Sequence, residues 1–452
     1  MRPFRFLHAA DLHLDSPFRG LDALPERVRD TVRESTFASL KRIEEIAVRE
    51  QVDFAVFSGD IYDVRDRSLK AQLRFREMAG RLAERGIRVF VVHGNHDSLD
   101  GYRAALDWPE GVHHFGSDEV GAAPVIDRQG AHLADVYGIS FRQAAVRDNL
   151  ALKFRPSNRE VFNVAMLHCN VDGMPGHDNY APCRKADLIR AGFDYWALGH
   201  IHTRAVLHRD PWIVYPGNPQ GRSMKETGER GVYVVQVKDR RAEEPVFHPT
   251  DSVRWERIRV DIAGLESEQE LLDLLRRTIA GARRRADGRH TVVRLVLAGR
   301  GRLHGLLLRE NRLREWLAVL REEEIAYAGQ ADADADKPFV WPESLRMETR
   351  GDAVDLVELR RQDSFAGDVL RLSDELRRDP ERFRQFRLGA LEPLMSAPWG
   401  RRLLEGLLED GVDGSAGAGT GEGAEERWLE WLADAGERLV RLLLEGAEEL
   451  EN

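Results

Sequence analysis

Along roughly the first 240 residues, short continuous apolar runs alternate with stretches whose apolar positions recur every three or four residues. Phe4–Ala10, Phe54–Ser58, Arg88–Val92, Val161–Leu167 and Asp194–Leu198 read as strands. Between them, Pro25–Glu50 carries Val28, Val32, Leu40, Ile43 and Ala47 on one helical stripe, and Ser68–Arg85 predicts a second helix. Such alternation predicts an α/β domain in which helices cover a sheet. Near Thr250 the pattern changes. Arg254–Ile262, Thr291–Leu297 and Ser344–Thr349 predict strands, Ser267–Arg285 and Leu306–Glu324 helices, with an acidic loop at Asp332–Asp336. From about Asp363 the pattern is helical, broken by a Gly/Ala/Ser-rich flexible linker over 411–423. The helix after it has Trp428, Trp431, Leu432, Ala435, Leu439, Leu442 and Leu443 on one stripe, which could fold back on its own domain or dock on a partner. Three regions follow: 1–250, a compact α+β unit over 251–350, and a helical region over 351–452.

Each of the five early strands runs directly into chemistry. Asp11 and His13 follow the first, Asp60 and Asp63 the second, Asn95, His96 and Asp97 the third, His168 the fourth, and His200 with His202 the fifth. In open α/β sheets ligands bind beyond the carboxyl ends of the strands, so five such loops can converge on one point. Strand alternation would turn Asp11 and His13 to the same side, and His200 and His202 likewise. Gly59 allows close backbone approach beside Asp60, whose two oxygens could bridge two cations. Carboxylate, amide and imidazole donors without thiolate suit Mn, Fe or Zn and argue against a structural cysteine–zinc site. Two cations ~4 Å apart clamp the attacking and leaving oxygens of an in-line phosphoryl displacement, a chemistry that needs no covalent nucleophile.

Composition narrows the class. The chain is 42% hydrophobic and 32% charged, as soluble globular proteins are, and its net charge of -10 excludes a uniformly basic protein that coats nucleic acid. A nucleic-acid enzyme of this charge needs a local basic groove. Arg142, Arg147, Lys153, Arg155 and Arg159, with Arg184, Lys185, Arg204, Arg222 and Lys225, could grip phosphates or form solvated faces. The two cysteines, Cys169 and Cys183, cannot make a disulfide framework, which points to a reducing compartment. The first residues are too polar for a signal peptide, and no apolar run approaches the ~20 residues that cross a bilayer. A cytoplasmic protein with no membrane contact is the expectation. His93 could support the neighbouring motif or pack at a strand end.

Taken together, Asp11-Leu12-His13, Gly59-Asp60-Ile61-Tyr62-Asp63, Gly94-Asn95-His96-Asp97, His168 and Gly199-His200-Ile201-His202 resemble the calcineurin-like metallophosphoesterases, in order and spread, over roughly the first half of the chain. Asp11–Phe18 and Tyr215–Arg222 further resemble the SbcD and YhaO group of DNA repair exonucleases, and the first of these, with His177–Pro182, points to the YhaO branch. The resemblance implies a four-layer β-sandwich flanked by helices, a small α+β capping domain that helps select DNA, and a helical tail. It implies one metal, Mn first and Mg, Fe or Zn as alternatives, held by Asp11, His13, Asp60 and His202. A second would be held by Asp60, Asn95, His168 and His200. His96 would contact the scissile phosphate and assist the leaving oxygen, with Asp97 orienting it. His177 would lie on the substrate side or support a ligand, and Arg222 could likewise contact substrate or support a ligand. Asp63 is a departure, since some nucleases of the superfamily carry His there; an Asp can still orient a neighbouring ligand. The implied activity is DNA exonuclease, with endonuclease activity as a further possibility, in a homodimer joined through helices of the first domain. An SMC-like coiled-coil ATPase, YhaN-like or SbcC-like, would bind the tail. Two alternatives stand beside it: a phosphomonoesterase or cyclic-nucleotide phosphodiesterase of the same superfamily, and a DNA-end-binding scaffold with structural metals. Asp63-Val64-Arg65 in place of Asp-Arg-Gly, and Asp97 closing the third motif, favour the nuclease branch.

Overall fold

The computed structural model describes residues 2–16, 18, 25–63, 68–101, 104, 106–176, 178–309, 311–329, 337–351, 356–395, 431–440 and 443. The predicted linker at 411–423, the acidic loop, Trp428 and His177 lie outside the described residues.

Side-chain alternation builds the first region as four layers. The strands β1 (Phe4–Ala9), β2 (Phe54–Ser58), β3 (Arg88–Val92) and β4 (Val112–His114) run parallel in one sheet. The strands β5 (Gly121–Ile126), β6 (His132–Gly138), β7 (Phe162–His168), β8 (Tyr195–Gly199), β9 (Ala205–Arg209) and β10 (Trp212–Tyr215) make a second, ordered β5-β6-β7-β8-β10-β9. The first sheet continues beyond β1 with β11 (Gly231–Lys238), which pairs with β12 (Arg241–Ala242) and β13 (Val246–Pro249). Phe4, Phe6, Phe54, Val56 and Phe90 turn inward against Phe162, Val164, Tyr195, Ala197 and Val214 of the second sheet. The intervening residues Leu7, Ala9, Ala55, Phe57, Val89 and Val91 turn the other way, onto Leu40, Ile43 and Ala47 of α1 (Glu26–Arg49) and Phe75, Met78 and Leu82 of α2 (Leu69–Glu84). On the outer face of the second sheet, Ala165, Leu167, Trp196, Leu198 and Ile213 pack on Leu188 and Ala191 of α3 (Lys185–Ala191) and on a 3-10 turn at Leu150–Lys153. Period-two alternation with both faces buried produces a helix–sheet–sheet–helix stack, the fold class the sequence implied. The Ser68 hydroxyl starts α2 by accepting from the Ala71 amide at 3.2 Å, whereas α1 begins at Pro25 with no side-chain cap.

A three-stranded sheet follows, ordered β14 (Val253–Asp261), β15 (His290–Arg300), β16 (Val340–Arg350). The chain divides into two compact units: Met1–Val260 with Leu272–Val296 and Leu313–Arg346, and Asp261–Leu271 with Leu297–Arg312 and Met347–Asn452. Within the first, Val28 and Val32 pack against Val253, Trp255, Val292, Phe339 and Trp341. The helices of this stretch are α4 (Glu268–Arg285), α5 (Leu303–Leu308) and α6 (Arg312–Gly329). The single helix expected over 306–324 is thus two, broken where Asn311 takes a left-handed φ of 70°. In the second unit, α7 (Leu356–Arg361) and α8 (Phe365–Arg378) precede α9 (Pro380–Met395). Val440, on the tail helix, is fully buried against Leu359, Ala366 and Leu370, so that helix folds back on α7 and α8. No described helix is long and apolar enough to cross a membrane.

Candidate metal centre

Beyond β1 and β2 the two segments stay paired as they leave the sheet. The Asp11, His13 and Leu14 amides donate to the carbonyls of Gly59, Asp60 and Ile61 at 3.0, 3.0 and 2.9 Å. The donors then turn through rare backbone conformations: φ is 55° at Asp11, 43° at His13, 52° at Asp60 and 97° at His200. Left-handed non-glycine residues cost of order 1–3 kcal/mol each and persist where surrounding structure over-determines them, typically at functional sites. Strand alternation is therefore not what turns Asp11 and His13 to one side. β1 ends at Ala9, and two left-handed turns do that work. Gly94 is equally constrained, because a Cβ there would collide with the Asp60 carboxylate and the His168 imidazole.

Six of the seven predicted donors meet directly. Asp60 Oδ2 lies 3.7 Å from His13 Nε2 and 3.4 Å from His168 Nε2, so one carboxylate oxygen stands between two imidazoles. Candidate ligand atoms of Asp11, His13 and His202 lie within 4.8 Å of one another, as do those of Asp11, Asp60 and His168. Asn95 Oδ1 is 3.0 Å from His168 Nε2, and the His200 ring lies 5.2 Å from that of His168. Second hydrogen bonds fix the ring nitrogens. His168 Nδ1 donates to the Ser58 carbonyl at 3.0 Å, His202 Nδ1 to Glu226 Oε1 at 2.7 Å, and His200 Nε2 to the Asp178 carbonyl at 2.7 Å. A ring that donates through one nitrogen offers a lone pair at the other. His168 and His202 thus present Nε2, and His200 presents Nδ1. His13 Nε2 faces His202 Nε2 at 3.1 Å, an approach that calls for a proton or a cation beside it.

The electrostatics ask for positive charge. Asp11 and Asp60 are each 1% exposed. Burial pushes the Asp11 carboxyl up; burial acts on Asp60 in the same sense, but His168 and His13 hold it well below the usual range. Burial lowers His168, yet the carboxylates of Asp60 and Asp11 overcome this and push it up to about 9. Buried carboxylates favour positive charge beside them, and the donor set of carboxylate, amide and imidazole fits divalent metals.

His96 stands at the open side, its ring 4.8 Å from that of His13. Its ring hydrogen-bonds to Asp63 and not to Asp97, the residue expected to orient it. His96 Nδ1 donates to Asp63 Oδ1 at 3.1 Å. Asp97 points beneath the loop, where its carboxylate accepts from the amides of Gly94 (2.7 Å), Asp60 (3.2 Å) and Ile61 (3.0 Å) and from His93 Nδ1 (2.9 Å). His93 in turn meets His114 at 3.0 Å, so it belongs to the support of the loop. Burial raises Asp63, but hydrogen bonds from His96 and Ser16 bring it to about 2. Burial lowers His96, but the hydrogen bond to Asp63 and the charges of Asp60 and Asp63 raise it overall.

Residues 4–204 match the family profile of the calcineurin-like phosphoesterases, and residues 255–350 match that of the middle domain of metallophosphoesterase YhaO. Over 363 residues the chain is 40% identical to the uncharacterized metallophosphoesterase YhaO of Bacillus subtilis (strain 168), a match spanning 80% of this chain and 85% of that protein. The chain belongs to the calcineurin-like metallophosphoesterases, in their YhaO branch. It is 28% identical over 268 residues to the SbcD subunit of nuclease SbcCD from the same organism, covering 52% of this chain and 66% of that one. It is also 28% identical over 214 residues to the DNA double-strand break repair protein Mre11 of Sulfurisphaera tokodaii, covering 46% of this chain and 52% of that one.

In this metallophosphoesterase several supporting groups escaped the sequence reading. The Ser58 and Asp178 carbonyls act through the backbone, which no side-chain pattern reveals. Ser16 Oγ donates to Asp63 Oδ2 at 2.8 Å, and Glu226 holds His202; Ser16 is a non-donor within the Asp11–Phe18 stretch, and Glu226 lies outside the motifs. Arg222, expected to contact substrate or to support a ligand, has Nη1 3.1 Å from Ser16 Oγ and Nη2 3.4 Å from His202 Nδ1. Of the other basic candidates, Arg204 stacks over Phe247 at 3.9 Å and Arg142 pairs with exposed Asp118 at 3.5 Å.

Proposed function

We propose that this protein is a two-metal DNA nuclease. The carrying observation is the Asp60 oxygen flanked by His13 and His168, with one group of donors on either side. One cation would rest on Asp11, His13, Asp60 and His202 and the other on Asp60, Asn95, His168 and His200, with Mn the first candidate and Mg, Fe or Zn the alternatives. When bound, such a pair polarises a phosphoryl oxygen and brings the pKa of water toward neutrality. His96, steered by Asp63, carries a raised pKa and can donate a proton to the departing oxygen. Asp97 acts one step back, holding the Gly94 turn and the Asp60 backbone. Arg222 can meet a phosphate at the rim.

Similarity to SbcD and to Mre11 supports DNA as the substrate and repair as the setting. In this reading 1–250 is the nuclease domain, 251–350 caps it and selects DNA, and 351–452 binds an SMC-like coiled-coil ATPase. The protein works as a homodimer, exonucleolytically and also endonucleolytically. Cys169 and Cys183 are free thiols, which suits a reducing cytoplasm.

The test is one assay panel with Mn or Mg on linear duplex DNA, single-stranded DNA and a nitrophenyl phosphate ester, with His96→Ala in parallel. Mn-dependent DNA cleavage that falls about 100- to 10,000-fold in the variant is expected. Turnover of the small ester alone would make the protein a phosphomonoesterase of the same family instead. Equal cleavage by variant and parent would remove His96 from the chemistry.

A further inference from the structure

The stretch Tyr215–Arg222 contributes no donor to the centre, yet it is drawn tightly against it. Gly217 has a φ of 76°, and a Cβ there would strike the His202 carbonyl and the Arg204 amide at 2.7 and 2.8 Å. A Cβ on Gly221 would meet the Glu226 carbonyl at 2.6 Å. Both glycines let this loop close onto the His200–Arg204 turn on one side and onto Glu226 on the other. The loop then loads Glu226 with donors. Glu226 Oε2 accepts from the Arg222 amide at 2.7 Å and from Asn218 Nδ2 at 3.0 Å, while Oε1 accepts from His202 Nδ1 at 2.7 Å with Arg222 Nη2 at 3.4 Å. Arg230 Nη1 closes the bracket by donating to the His202 carbonyl and, at 2.9 Å, to Asn218 Oδ1. Asn218 is 1% exposed, and Glu226 and Arg230 are 8% exposed.

The three ring-fixing hydrogen bonds of the centre are therefore unequal. Those of His168 and His200 end on backbone carbonyls, and that of His202 ends on a buried carboxylate. A carboxylate behind an imidazole fixes the ring and raises its basicity as a ligand, and losing such a partner typically costs 10- to 100-fold in metal affinity or activity. We infer that Glu226 is a positioning residue which, through the Nδ1 hydrogen bond, aims His202 Nε2 into the Asp11–His13 group and strengthens metal binding there, while leaving the Asn95–His168–His200 group unaffected. This rests on the two-metal reading above but not on the choice of substrate. The negative charge of Glu226 is also balanced locally by Arg222, so it can act on His202 without adding net charge to the pocket.

Calorimetric titration of the metal-free full chain with Mn separates the possibilities, with no substrate present. Glu226→Gln keeps an acceptor for His202 and loses the charge; Glu226→Ala loses both. For the parent, two binding events are expected. One of them should weaken about 10-fold in Glu226→Gln and toward 100-fold in Glu226→Ala, the other staying within twofold. Glu226→Asp should recover part of the loss. Thermal melts of the metal-free variants serve as the control for folding. Equal weakening of both events, or unchanged binding by a variant that only melts lower, would overturn the assignment and leave Glu226 a structural residue. A parent that binds no Mn would instead defeat the two-metal reading, and DNA cleavage failing with both events intact would defeat only the substrate.

Discussion

Asp63 and Asp97 show how far residue identity alone carries. Both are aspartates in short donor motifs, Asp97 adjoining His96 and Asp63 in the motif before it, and neither motif alone says which one the His96 ring meets. The answer lies in direction: Asp97 turns under its loop to collect three amides and His93, and Asp63 turns outward to His96 and Ser16. Asp63, the position at which the sequence resemblance departs from its expected pattern, thus holds a hydrogen bond to His96. His8 is a residue of a different kind, fully buried between the sheets, with Nδ1 3.1 Å from the Tyr195 hydroxyl and Nε2 3.1 Å from the Leu198 carbonyl. Burial lowers it to about 3, with the Leu198 carbonyl opposing, so the native protein holds it neutral. A histidine depressed on folding contributes stability that is complete above its unfolded value of about 6.5 and is lost as pH falls below it, at about 1.4 kcal/mol per pH unit. Urea unfolding with chelator at pH 7.5 and pH 5.0 checks this. The parent should lose about 2 kcal/mol more than His8→Gln across that interval, and equal losses would show that His8 does not titrate with unfolding.

At the scale of elements, the parallel strands β1, β2, β3, β7 and β8 were legible because each is an apolar run buried on both faces, and α1 and α2 because each carries a single stripe. β5 and β9 were not, since partial exposure and Pro124 blur their patterns, and β12 has two residues. The donors were legible as types at strand exits. Their geometry was not, because it depends on left-handed turns at Asp11, His13, Asp60 and His200 and on carbonyls that leave no trace in side-chain identity. The turn at Gly94 carries its own prediction. Gly94→Ala puts a methyl group against Asp60 and His168, and these buried groups cannot both retreat. Mn binding by calorimetry should be lost or fall by at least about 10-fold, with the secondary structure by circular dichroism retained. Unaltered Mn affinity would show that the loop yields more than its packing suggests.

On the scale of the whole molecule, a chain of net charge -10 concentrates two buried aspartates and four imidazoles from stretches as far apart as Asp11 and His202. Folding alone would not gather groups that cost free energy to bury; a compensating positive charge explains why they converge. That charge is the central claim, and anomalous X-ray diffraction from crystals grown with Mn reads it directly. Two anomalous peaks ~4 Å apart are expected, one on each side of the Asp60 carboxylate, the first among Asp11, His13 and His202 and the second among Asn95, His168 and His200. A fully loaded crystal with no peak at Asp60, or with Mn only elsewhere on the surface, would contradict it.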